Sequence, residues 1–387
     1  MNDPGPRSGR GLMVLLTVFM FATAGTIHFQ TPMLPEFARE FSASAAEVGW
    51  VPTLSFTGFL AGTLFLSPLG DTFDKRRLIL AKLACLIGAM AAMAAAPTLP
   101  LLAAAGLVCG IGASLSQDVV PLVSELAPPG ERGRAVGTVL SGLFLGILFG
   151  RIGGGFVTAA LGWRWMYAIS AGMLAVMLAA MFLRCPSVPQ KTQLAYRTLM
   201  RSLARLLRDR PDLRRASGVQ YLLGTCYGGF WATIALMLAA VHGLGPVAAG
   251  LVGIPGAAGI LVARPAGRWM DRKGVRPVVT TGIALVIAAY LVFGFGAATI
   301  AAIVGGAVLL DSGLRAAMVA NQAYVTGVDP ETRSRSNTIF AVHGWGGYAT
   351  GAFLASLAWS RLGWVGVCAV GIVASTAALA LYLPGRR

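Results

Sequence analysis

The sequence predicts an all-α membrane protein: twelve transmembrane helices in two six-helix bundles related by a pseudo-two-fold axis. Three observations carry the prediction. First, 56% of the 387 residues are hydrophobic and only 12% are charged, against about 25% charged in ordinary soluble domains. Such a chain cannot cover its apolar surface with polar side chains, which excludes disorder and a water-soluble fold. Second, the apolar residues fall in successive runs of about 20 or more, the length that crosses a bilayer as a helix. Third, 31 Lys and Arg against 15 Asp and Glu leave a net charge of +16, and the cations gather in every second break between runs, as the positive-inside rule requires.

The first run, 11–31, follows the short basic segment MNDPGPRSGRG. It lacks a small-residue cleavage site and reads as an uncleaved first span. Runs 48–69, 78–96 and 99–126 follow, punctuated by Pro97 and Pro100 and then by Pro128 and Pro129. Runs 135–160 and 165–183 complete a first bundle, residues 1–183. Segment 184–215 is the one long polar stretch. Leu199, Leu203, Leu206 and Leu207 recur there at helical spacing between arginines, which predicts a basic amphipathic helix on the anionic inner leaflet. The second bundle, 216–387, holds runs 216–241, 246–266, 277–296, 298–327, 336–358 and 363–383, with Gly245 and Pro246 at its first join. The 50 glycines fall largely inside runs, where they let helix backbones approach closely in lipid.

With the N-terminus inside, 25 of the 31 cations fall on cytoplasmic loops and tails. Arg39, Arg164 and Arg361 fall outside, and Arg151, Arg264 and Arg315 lie within spans. This split places both termini in the cytoplasm of a multi-pass protein of a bacterial inner membrane. It also accounts for the basic charge without nucleic acid, for which the sequence has no aromatic interleaving and no binding fold. The five cysteines lie in or beside apolar runs and read as small buried hydrophobes. No cluster has metal-ligand spacing, and no cofactor is expected.

The halves repeat at an offset near 200 residues. SPLGDTFDKRR (67–77) matches GRWMDRKGVR (267–276), and PGERGRA (129–135) matches PETRSRS (330–336). The second copy, with Gly267, Asp271, Arg272, Gly274 and Arg276, resembles the Gly-x-x-x-Asp-Arg-x-Gly-Arg-Arg loop motif of the major facilitator superfamily. The first copy departs from it at Ser67, Thr72 and Asp74. Gly142, Gly146, Gly150, Gly153 and Gly154 resemble that family's glycine-rich antiporter motif, with Arg151 at its usual proline and Gly106 where the fourth span would carry an arginine. The resemblance implies the major facilitator fold, a central cavity lined by spans 1, 4, 7 and 10, and a gating role for the loop copies. The gating residues are then Asp71, Lys75, Arg76 and Glu125 in one half and Asp271, Arg272 and Arg276 in the other, with Asp71 joining Lys75 and Glu125.

The polar residues inside spans agree. His28 lies in span 1, Gln117 and Asp118 in span 4, Tyr221 and Tyr227 in span 7, and Asp311, Arg315, Asn321 and Gln322 in span 10, with His343 in span 11. Unsatisfied polar groups in lipid cost several kcal/mol each, so this unevenness implies a wet interior. Asp311 and Arg315, four residues apart, share a helix face and are placed to pair. Asp118 occupies a comparable face of the other half, either as a desolvated acid that exchanges a proton or as a solvated acid at the helix end. Arg151, among small residues, pairs with Asp118, holds a substrate carboxylate, or makes a structural contact. His28 and His343 are protonatable or simply hydrogen-bonded. These residues point to a secondary transporter working by alternating access, with a small-molecule substrate, protons and the bilayer as partners, acting as a monomer. The favoured reading is proton-coupled efflux of a drug or metabolite. The alternatives are an importer of a small anionic nutrient and a non-transporting membrane sensor or structural protein. No phosphate-binding loop or catalytic constellation is present, so neither a primary pump nor an enzyme is expected.

Overall fold

A computed structural model describes residues 10–71, 73–128, 130–187, 196–329 and 332–383; the side chains of Asp71 and Arg264 lie outside that description. The described residues are predominantly helical, with no strand among them. The first span runs as α1 (Arg10–Ala24), two 3₁₀ turns (Thr26–His28 and Thr31–Met33) and α2 (Leu34–Glu40). Its α-helical ladder breaks at Gly25 and again before Pro32, which has no N–H to donate. A short α3 (Ala45–Val48) begins with a capping box between Ser44 and Glu47. Next come α4 (Trp50–Ala61), a π-helical turn (Gly62–Leu66) and a 3₁₀ turn (Ser67–Asp71). The fourth span is likewise broken: α5 (Lys75–Ala94) is followed by α6 (Leu99–Ala113), a break at Ser114–Leu115, and α7 (Ser116–Leu126) with Pro121 inside it. Long α8 (Arg132–Leu161) and α9 (Trp163–Arg184) complete this half. Irregular backbone is tolerated at such depth only where it is buried in protein or lines a cavity.

The linker holds α10 (Tyr196–Asp209). Beyond it lie α11 (Pro211–His242), α12 (Pro246–Leu251), α13 (Gly253–Gly256), α14 (Ala258–Lys273), α15 (Val275–Phe295), α16 (Ile300–Gly327) and α17 (Arg333–Tyr382). Ten helical stretches among the described residues are long and apolar enough to cross a membrane. Three of the expected runs do not stand as separate helices. Residues 246–266 are divided between α12, α13 and α14, and α17 takes in two runs across Gly363, whose φ of 61° interrupts the helix. α11 starts five residues before its expected run, with Pro211 in the first turn, where the missing N–H removes no helical bond.

Packing within each half uses close backbone approach. α1 lies along α8, where a Cβ at Gly142, Gly146 or Gly154 would fall within 3 Å of the Thr17, Phe21 or Phe29 carbonyl. The halves meet at the end remote from the linker, called here the far end. There α8 touches α12, with the Gly155 backbone against Pro246, and α4 touches α17, with the Trp50 and Phe353 rings 5.0 Å apart. At the opposite, linker end, the expected amphipathic helix forms, but its leucines seat on protein instead of lipid. Leu203 is buried with Leu213, Ala216, Val325, Ile339 and Phe340, and Leu206, Leu207, Leu64 and Met318 flank this cluster. Tyr196 donates to the Phe65 carbonyl at 3.0 Å. α10 thus contacts both halves, because each offers an apolar seat there. Its arginines, Arg197, Arg201, Arg205 and Arg208, stay exposed.

Candidate functional site

A central cavity of about 340 Å³ lies between the halves. Its walls come from the break after α1 (Thr23, Ile27, His28), the α6–α7 break (Ala113, Ser116, Gln117), α8, α11, α16 and the start of α17. Among the expected residues, His28, Gln117, Tyr227, Arg315 and Gln322 line it. Tyr221, Asn321 and His343 do not. The Tyr221 hydroxyl shares a 2.7 Å hydrogen bond with Thr350, and His343 Nδ1 lies 2.8 Å from the Ile339 carbonyl. Asn321 is buried, with its amide Nδ2 unpartnered. Gln322 donates to Asn337 at 2.7 Å. Toward the far end the cavity is roofed by rings. Tyr348 stacks on Phe56 at 3.7 Å, Trp345 lies 4.6 Å from Phe59, and the His28 ring sits 5.7 Å from Phe56.

Behind Tyr227 lies a buried charge cluster built from α8, α11 and α16. The Arg151 guanidinium, on a residue 3% exposed, lies 3.5 Å over the Trp231 ring and 5.9 Å from that of Tyr227, a stacking that a planar cation makes well. Its Nε and Nη2 have no hydrogen-bond partner. Asp311 is 2% exposed, its Oδ2 is unpartnered, and both guanidinium groups are within electrostatic reach. Glycines on the second half's broken helix make the space. A Cβ at Gly250 would stand 2.6 Å from the Arg151 carbonyl, and one at Gly256 would stand 3.1 Å from Asp311 Oδ2. The expected Asp311–Arg315 pair does not form, since no ion pair within 4 Å joins them. A shared helix face does not bring the termini together: Arg315 extends toward the Phe144 ring, 5.5 Å away.

Asp118 is neither solvated nor paired with Arg151. Its Oδ2 accepts from Lys82 Nζ at 2.6 Å, with side chains 5% and 3% exposed, and Lys82 also reaches Ser67 Oγ at 3.3 Å. Sequence reasoning does not single out Lys82, which falls among the 25 cations assigned to cytoplasmic loops and tails. The available signal was its place seven residues into an apolar helix, on the face of Lys75. Asp118 lines a second cavity, of about 150 Å³, with Ser67, Lys75, Arg335 and the α10 residues Leu199 and Leu203. Gln117 and Ala341 line both cavities, so the two adjoin at those side chains and the second ends under α10.

The loop copies differ. Lys75 pairs with Glu125, as expected, and both are largely buried. The Asp71 side chain, expected beside them, lies outside the described residues. Arg76 donates to the Phe182 carbonyl, with its guanidinium 5.3 Å from the Phe182 ring. Asp271, Arg272 and Arg276 are exposed and make no ion pair among the described residues, so the structure does not bring the second copy together.

A polar and aromatic chamber between two helical halves, with ionised groups buried beside it, can hold a small molecule. The comparisons with known proteins agree with that architecture. An uncharacterized transporter of Escherichia coli O157:H7, YgaY, is 31% identical over 372 residues, covering 96% of this chain and 94% of that one. A chloramphenicol efflux pump of Mycobacterium tuberculosis is 29% identical over 330 residues, covering 81% of this chain and 76% of the pump. The crystal structure of a bacterial homologue of the human lysosomal transporter Spinster, inward-facing and occupied, superposes with a TM-score of 0.80 at 14% identity, over 99% of this chain and 97% of that one. The family model described as Major Facilitator Superfamily matches residues 14–265, and the chain belongs to that superfamily of membrane transporters.

Proposed function

We propose that this transporter exports a small organic compound in exchange for protons. In this reading twelve spans form two six-helix bundles, residues 1–183 and 216–387, joined by the 184–215 linker. The monomer sits in a bacterial cytoplasmic membrane with both termini inside, and the bundles rock about the central cavity. The observation that carries proton coupling is Asp311. It is a buried carboxylate with one oxygen lacking a hydrogen-bond partner and no salt bridge among the described residues, placed beside the cavity between Arg151 and Arg315. Such a group changes protonation or partner when its surroundings move. The efflux relative supports the outward direction.

Everted vesicles carrying the protein and an internal pH indicator test the reading. Chloramphenicol and a panel of neutral, anionic and cationic compounds are added after a proton gradient is imposed. A substrate dissipates the gradient in wild-type vesicles and fails to do so with Asp311→Asn. Movement of a substrate at a rate that ignores the gradient in both directions overturns proton coupling.

A further inference from the structure

The charges around the cavity do not balance. Among its described lining residues Arg315 is the one side chain with a permanent charge, and no carboxylate lines the space. The acid next along the pathway, Asp118, is already neutralised by Lys82 at 2.6 Å. The acid behind the wall, Asp311, is set against two arginines, so the cluster keeps one uncompensated positive charge. Arg315 Nε is buried without a hydrogen-bond partner, and Arg151 stands behind Tyr227 with two unpartnered nitrogens of its own. An unpaired cation in an apolar wall favours an anion strongly and penalises a cation, since Coulomb terms grow as water is excluded.

Aromatic rings share the rest of the wall with aliphatic side chains such as Ile27, Leu143 and Leu314. Phe59, Phe144, Tyr227, Phe340, Trp345 and Tyr348 all line the cavity. Phe144 lies 5.5 Å beneath the Arg315 guanidinium, so a flat group beside this arginine has a ring face to stack against. The amides of Gln117, Gln220 and Gln322, the hydroxyls of Thr23 and Ser116 and the His28 ring complete the polar lining. Resting on the reading of this cavity as the transport site, we propose that its substrates are small planar aromatic carboxylates, with Arg315 as the carboxylate partner.

Binding of three matched probes separates this inference from the exporter reading. Purified protein in mild detergent is titrated with 1-naphthoate, 1-naphthamide and 1-naphthylmethylamine, following quenching of tryptophan fluorescence. A hydrogen bond to a charged partner is worth about 1.5–3 kcal/mol, so the carboxylate binds about 10- to 100-fold tighter than the amide, and the ammonium binds weakest. Arg315→Gln erases the difference between carboxylate and amide, whereas Arg315→Lys retains it. Equal binding of carboxylate and amide, tighter binding of the amine, or no binding of any probe overturns the proposal. Tight carboxylate binding without gradient-driven flux sinks the exporter reading alone. Gradient-driven flux confined to cations or neutral compounds sinks this inference alone.

Discussion

Removing the lysine of the Lys82–Asp118 pair isolates a buried carboxylate, and the cost follows from the geometry. Nζ and Oδ2 are 2.6 Å apart on side chains 3% and 5% exposed, so water does not replace the lost partner. Breaking such a pair typically costs about 3–5 kcal/mol. An independent ceiling exists, because the stranded carboxyl can take up a proton. From a reference value of about 3.9, doing so at pH 7 costs about 4 kcal/mol, at 1.36 kcal/mol per unit. Lys82→Met is therefore expected to destabilise the protein by about 3–4 kcal/mol at pH 7, with the deficit shrinking as pH falls, since neutralising the acid becomes cheaper. Asp118→Asn strands the lysine and reverses the sign: its deficit shrinks as pH rises toward the lysine reference of about 10.4. The Lys82→Met/Asp118→Leu double variant leaves no charge and recovers most of the loss. Unfolding by SDS titration from mild detergent, at pH 5.5, 7 and 8.5, measures all three. A Lys82→Met loss under about 1 kcal/mol at pH 7, or pH slopes of the same sign in the two single variants, refutes the assignment.

Gly155→Leu places a side chain where a Cβ alone would lie 2.4 Å from the Pro246 carbonyl, so α8 and α12 must part by about 1 Å to restore ordinary contact. In a background stripped of native cysteines, Phe353→Cys at the far end then reacts several-fold faster with an impermeant thiol reagent; unchanged labelling counts against a seal there. Arg151→Lys keeps the charge but loses the planar stack on Trp231, worth about 1–2 kcal/mol. Gradient-driven flux is expected to slow about tenfold at normal folded yield, and a wild-type rate would dismiss the stack as incidental. Leu203→Asp puts a charge into the apolar seat of α10. Limited trypsin digestion of the exposed Arg197–Arg208 stretch should accelerate at least about tenfold; equal protection in the variant means that α10 is held by something else.

The helical membrane fold was legible because composition and length leave few alternatives in a bilayer. Gly363 shows the limit of that legibility. It is the first residue of the last expected run, yet helix continues on either side and only its backbone angle marks the join. Residues 246–266 read as one span, but their glycines serve close contacts with α8 and α16, and the helix divides there. Polarity within spans pointed to five of the cavity-lining residues, His28, Gln117, Tyr227, Arg315 and Gln322, but equally to Tyr221, Asn321 and His343, which find partners or burial elsewhere. Partner choice was not legible. Lys82 meets Asp118 across 36 positions of chain, and Arg151 finds Trp231 on the opposite half, which no spacing rule encodes. Asp311 and Arg315 obey the helical spacing yet miss each other, because Arg315's side chain extends toward Phe144.

The docked linker helix has a mechanical consequence. Slack chain between two bodies transmits no force, but α10 rests on both at once, through Tyr196 on Phe65 and Leu203 on Phe340 and Ile339. Any motion that parts the bodies at that end must first peel one of these contacts away. Exposing a leucine costs about 2 kcal/mol, and an intramolecular hydrogen bond adds about 1 kcal/mol. The weaker of the two, about 1 kcal/mol, sets the bias and holds the parted state down about 5-fold. The linker helix thereby biases the posture of the molecule. Evolution can retune that bias by editing the strap, leaving the chamber and its chemistry untouched.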